Sequence, residues 1–302
     1  MVQLRRRLRP AGLAWLLSLL VLPSIMACAG TPASGGPASQ VWVAAGIPPL
    51  GDFVREVGGN RVRLVVMVPP GASVETYEPT PQQVQFVAQA KLLVLNGLGL
   101  EFWAKNVIQG SGNANLLVAD TSNGVTGLIG GEGGGANPHI WLDPTMARIQ
   151  TENIRDALIK VDPDGAEAYR TNAALFIDQL RALDQEIAGR ISGWRYRQFI
   201  AFHPAWQYFA AHYGLEQVAS IEEFPGKEPS PQYLAQIVQQ ARSLPARAVF
   251  AEPGLSPKAA QAIASEAGKE VLLLDDLGGA PGRATYIELL RYDVDQMEKA
   301  LK

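Results

Sequence analysis

A chain of 302 residues with a formal net charge of −3 is long enough for two cores and lacks the basic excess that a nucleic-acid partner requires. At 47% hydrophobic and 18% charged residues, its composition is that of a soluble globular protein. A single cysteine allows no internal disulfide, so the folded part must rest on its apolar core.

The N-terminus departs from that average. Arg5, Arg6, Arg7 and Arg9 precede an apolar stretch over 11–26. The stretch is too short and wrongly flanked for a spanning helix, so 1–27 reads as an export signal. Cys28 follows Ile25-Met26-Ala27, and a small residue before a cysteine at this point resembles a bacterial lipobox. That resemblance implies cleavage before Cys28 and lipid on its sulfur; the other reading is a plain secretory signal with an incidental cysteine. Residues 28–40 are Ala, Gly, Ser, Thr and Pro almost throughout, which predicts a flexible tether.

Residues 41–45 form a short β-type run, and 48–57 a helix ended by Gly58-Gly59. The nearly unbroken apolar run in 63–68 predicts a strand buried on both faces, stopped by Pro69-Pro70-Gly71. Thr80-Pro81 opens a helix to 90, followed by a strand at 92–95, a helix at 101–109 and a strand at 116–119. A Gly-rich run over 130–135 leads to Asp143-Pro144, read as N-cap and first position of a helix to 160. Asp162-Pro163 opens a longer helix to 191, with Ala168, Leu175, Phe176, Leu180, Leu183 and Ile187 at helical spacing. Strands then return at 198–202, 217–221, 248–251 and 271–274, with helices at 205–213, 230–242, 256–267 and 286–301. Such alternation predicts an α/β fold of two Rossmann-like lobes with parallel sheets, 41–161 and 193–302, joined by one long helix within 162–192.

Open parallel sheets bind ligands beyond the carboxyl ends of their strands. Glu75 lies in the loop after 63–68, and the loop after 116–119 leads to His139, which stands between Pro138 and Pro144. The strand 198–202 ends in His203-Pro204, and 271–274 ends in Asp275-Asp276. Imidazole and carboxylate donors from both lobes could therefore complete a four-ligand site for a divalent cation in the cleft. Each residue also has a plain structural reading: Glu75 as a solvated charge, Asp275 as a turn residue, His203 as a helix cap, His139 as a packed histidine. His212 falls near a helix C-terminus, where a cation complements the dipole, and is not counted as a ligand.

Several stretches taken in order carry a resemblance. They are Gly71-Ala72-Ser73 through Tyr77-Glu78-Pro79-Thr80-Pro81, Asn137-Pro138-His139-Ile140-Trp141-Leu142-Asp143-Pro144, His203-Pro204-Ala205 with Tyr213-Gly214-Leu215, Gly226-Lys227-Glu228-Pro229-Ser230, and Leu274-Asp275-Asp276-Leu277-Gly278. Their order and spacing over 41–302 are similar to the zinc/manganese solute-binding lipoproteins of bacterial ABC transporters. The resemblance implies two α/β lobes bridged by a rigid helix, with one zinc or manganese ion between them held by His139, His203, Asp275 and a residue at position 75. That family usually has His where this chain has Glu75, and two carboxylates with two imidazoles form a harder donor set. It further implies a monomer, exported and lipid-anchored at the outer face of the cytoplasmic membrane, that delivers its ion to a permease dimer.

Three other functions compete. A metal-dependent hydrolase would need an open coordination position and a base, for which Glu78 and Glu228 are the nominees. A receptor for a metal chelate would want an arginine or aromatic-lined cleft, and Arg283 and Trp206 lie near the motifs. An adhesin with a degenerate metal site would be favoured by Glu75. No Gly-x-Ser-x-Gly elbow or P-loop occurs, and Gly97-Leu98-Gly99 lacks the third glycine of a dinucleotide fingerprint.

Overall fold

The structure, a computed structural model, describes residues 40–131, 134–222 and 228–302. The predicted export signal, Cys28 and the tether up to 39 lie outside them. No helix among the described residues is long and apolar enough to cross a membrane.

The first lobe alternates β1 (Val41–Ala45), α1 (Pro48–Gly58), β2 (Val62–Val66), α2 (Pro81–Val87), β3 (Leu92–Leu95), α3 (Ala104–Ser111), β4 (Leu117–Asp120) and α4 (Pro144–Val161). Among the described residues these strands make a four-stranded parallel sheet in the order β2-β1-β3-β4. The central strands β1 and β3 are almost wholly buried, as strands covered on both faces must be. The apolar run 63–68 departs from its prediction. β2 is the edge strand, with Arg63 exposed over the Trp42 ring and Leu64, Val65 and Val66 half-buried. Only Met67 and Val68, past the strand's end, enter the core.

A 27-residue helix follows, α5 (Ala166–Ser192), about 40 Å long at 1.5 Å per residue. The second lobe contains β5 (Gln198–Ala201), α6 (Gln207–Tyr213), β6 (Glu216–Ser220), α7 (Pro231–Ser243), β7 (Ala248–Ala251), α8 (Lys258–Ala267), β8 (Glu270–Leu273) and α9 (Tyr286–Leu301). β5 pairs with β6 and β7 with β8, all parallel, while β5 and β7 lie side by side with Phe199 edge-on to Phe250 at 5.9 Å.

Helix α5 packs on α1 and α4 of the first lobe and on α9 of the second. Phe176 meets Phe53 of α1 at 5.6 Å, and Asn172 donates to the Val57 carbonyl at 3.0 Å. Toward its C-terminus Arg190 pairs with Asp295 and Glu298, and Glu186 with Arg291, all three on α9. A single hydrophobic core runs from β1 through the buried face of α5 to Leu301, and a smaller one lies between α7, α8 and the strands of the second lobe. The lobes thus share close-packed side chains, which resist continuous deformation.

At the switch point between β1 and β3, Glu101 turns its carboxylate under Gly46 and accepts the backbone N–H of Asn96 at 2.7 Å and of Gly97 at 3.3 Å. A Cβ at position 46 would strike that carboxylate. Burial, opposed by the two N–H donors, pushes Glu101 up from 4.5 to about 7. Between those values the native chain holds a proton that the unfolded chain has released, so stability must fall as pH rises through the window. Metal-free protein is expected to lose about 3 kcal/mol from this group. Urea unfolding at pH 5 and pH 8 should show Glu101→Gln gaining on wild type by that amount as pH rises. A constant difference between the two proteins would contradict it.

Candidate metal centre

The residues that sequence reasoning singled out stand past the carboxyl ends of strands, and the loops that carry them are held by local chemistry. The His139 segment hangs from a buried polar network. Asn96 donates to the Pro138 carbonyl at 2.8 Å, and Gln150 bridges Asn96 and Thr121 at 3.0 and 2.9 Å. Asn137 accepts the His139 backbone N–H at 3.0 Å and touches ring Nδ1 at 2.8 Å. Its amide also donates to the Pro204 carbonyl at 2.8 Å, tying this segment to the second lobe. Just beyond, Asp143 caps α4 through Thr145 N–H at 2.7 Å with Pro144 in the first turn, as the sequence predicts.

His203 stands two residues past β5 and caps nothing with its side chain. Its Nε2 lies 3.0 Å from His139 Nε2, with both rings buried. Glu75 joins them: the three donors lie within 4.8 Å of one another. Ser73 Oγ, at 2.7 Å, holds the Glu75 carboxylate. Past this group opens a cavity of about 650 Å³, lined in part by Leu98, Phe102 and Asn137.

Asp275 does not join the group. Its carboxylate accepts the backbone N–H of Leu277 at 3.2 Å and of Gly278 at 2.8 Å, and pairs with Arg283 Nε at 2.6 Å. An aspartate that caps its own turn in this way has most of its acceptor positions occupied. The neighbouring Asp276 points the other way, into a second group with His203 and Glu252 whose donors also lie within 4.8 Å. Asp276 is buried, and its carboxylate has no hydrogen-bond donor among the described residues. A buried carboxylate without donors is costly, and either a proton or a cation relieves it. Sequence reasoning passed over Asp276 and Glu252. The strand-end rule reaches Glu252, because β7 ends in Glu252-Pro253 as the segment after β5 ends in His203-Pro204.

The electrostatics are those of a cation site. Burial alone would lower His203, but Glu252 in contact with Nδ1, with Asp276 and Glu75 nearby, raises it to about 10. Burial, and then the charge on His203, hold His139 well below the usual imidazole range. Burial, and then Glu252 and Glu75, push Asp276 far above the carboxylate range. Both shifts favour His203 over His139 as the proton carrier of the pair, whose Nε2 atoms stand 3.0 Å apart, within hydrogen-bond distance.

The loops of the two lobes also touch. Gly254 is at φ +82°, and a Cβ there would lie 2.3 Å from the Gly71 carbonyl oxygen and collide with it. Only glycine satisfies both the backbone angle and the approach. His212 pairs with Asp184 at 2.8 Å and Asp143 at 3.5 Å and belongs to no donor group among the described residues. Glu78 and Glu228, nominated as hydrolytic bases, are exposed and outside the group.

Known proteins resemble this chain over most of its length. Over 257 residues the chain is 31% identical to the iron-binding protein YfeA of Yersinia pestis, covering 82% of each chain. It is 29% identical over 258 residues to the manganese-binding lipoprotein MntA of Halalkalibacterium halodurans, covering 83% of this chain and 85% of that one. A crystal structure of ZnuA superposes with a TM-score of 0.80 at 36% identity, over 87% of this chain and 99% of that one. The family described as ZnuA, the periplasmic component A of the zinc-uptake complex, matches residues 43–300, and the chain belongs to that family.

Proposed function

We propose that this protein captures one divalent transition-metal ion, zinc or manganese, outside the cytoplasmic membrane and delivers it to an ABC permease dimer. The observation that carries the reading is the facing pair of ring nitrogens, one from each lobe, at 3.0 Å with Glu75 beside them. The ion would take His139 Nε2, His203 Nε2 and Glu75. Asp276, rather than Asp275, is the carboxylate best placed to close the set. A proton on His203 leaves as the ion arrives, since a metal and a proton compete for the same lone pair. The shared core through α5 supports a small closure of the lobes rather than a wide hinge motion. Lipid on Cys28 would keep the monomer at the membrane surface.

The chain's own donors make a harder set than three imidazoles with one carboxylate, which favours manganese relative to such a set even though nitrogen–oxygen sites in general favour zinc. Purified protein, stripped and reloaded with equimolar zinc and manganese, is expected to hold one ion per chain. Glu75→Gln should weaken binding by about tenfold or more, with manganese losing more than zinc. Failure of wild type to retain either ion would remove the reading. Equal binding by the variant would remove Glu75 from it.

A further inference from the structure

The two facing imidazoles are not held alike. His139 sets its Nδ1 against the neutral amide oxygen of Asn137 at 2.8 Å. His203 sets its Nδ1 against the carboxylate of Glu252. A carboxylate has no proton to give, so Nδ1 of His203 carries one and Nε2 is the nitrogen left for an ion. Both residues are placed by backbone that cannot drift independently. His203 stands two positions past β5 and Glu252 one past β7, strands that lie side by side over a buried Phe199–Phe250 contact.

We propose that Glu252 is a positioning residue of the metal centre: it accepts the His203 Nδ1–H, fixes the ring with Nε2 toward the ion, and makes that imidazole the stronger donor of the pair. The inference rests on the metal-binding reading above. A carboxylate behind a ligating imidazole raises its basicity and locks its orientation, and loss of such a partner costs about 10–100-fold in affinity. Glu252 also lies with His203 and Asp276 in the second donor group, so its direct ligation is the competing arrangement. The two differ in which nitrogen of His203 meets the ion.

The test is a long-range proton–nitrogen correlation spectrum of histidine-labelled, zinc-loaded protein, with zinc affinities of wild type, Glu252→Gln and Glu252→Leu measured by competition. The expected spectrum has His203 bound through Nε2 with Nδ1 protonated. Glu252→Gln, whose amide oxygen still accepts, should keep that tautomer and lose less affinity than Glu252→Leu, which should fall by about 10–100-fold. Zinc on Nδ1 of His203 in wild type, or Glu252→Leu binding within about twofold of wild type, overturns the proposal. Should the leucine variant not fold, the wild-type spectrum still decides it. Wild type that binds no zinc fails the metal-binding reading before any variant is made, and this proposal falls with it.

Discussion

His139→Ala is expected to abolish metal retention while leaving a folded protein. The ring occupies a buried position and sets its Nε2 3.0 Å from His203 Nε2. On the metal-binding reading, its loss removes one of the two proposed nitrogen donors and leaves His203 beside Glu75, Glu252 and Asp276. Affinity should drop by more than ~100-fold, because even an outer partner of a ligand is worth 10–100-fold. The fold should survive. Asn137 still accepts the backbone N–H of residue 139 at 3.0 Å, and the Asn96–Pro138 bond at 2.8 Å involves no imidazole. Equilibrium dialysis with zinc and manganese, beside circular dichroism of the stripped variant, reads both halves. Retention within about tenfold of wild type would mean the ion is not held at this ring.

Trp141→Ala should show the largest loss of stability. The side chain is fully buried and lies 5.1 Å, ring to ring, from His139. Its indole N–H donates to the Asp276 carbonyl at 2.6 Å, and its own carbonyl accepts the Tyr286 hydroxyl at 2.7 Å. One residue of the first lobe thus holds the backbone of the turn that aims Asp276. Truncation costs about 3–5 kcal/mol for the cavity, and the orphaned Asp276 carbonyl adds about 1–3 kcal/mol. Against a total of about 5–15 kcal/mol for an ordinary domain, that brings the native state near its limit. Trp141→Phe separates the two contributions: it keeps most of the packing and loses the N–H. Its metal affinity should fall although its urea midpoint moves less than that of Trp141→Ala. A Trp141→Ala protein within about 1 kcal/mol of wild type would contradict the burial argument.

What was legible in the sequence is what local chemistry determines. Alternating apolar runs and helical periods placed β1, β3, β7, α4, α5 and α9 within a few residues of their observed bounds. Thr80 and Asp143 mark helix starts because a cap bonds to backbone two or three residues on, so its signal lies within one short stretch. The strand-end rule singled out His139, His203 and Glu75, which the fold brings together, because in a parallel sheet every strand delivers its C-terminus to the same edge. What only the tertiary structure decided depends on pairing and on turns. An apolar run does not say which strand lies at the edge, and β2 lies there. Adjacent Asp275 and Asp276 are told apart by a turn whose N–H groups and Arg283 engage the first carboxylate, while the second lies with His203 and Glu252. Glu252 acquires its place from the lateral packing of β7 on β5, a relation between segments 49 residues apart. The lobes share one core because α5 buries one face along both, and periodicity shows that face without naming what covers it.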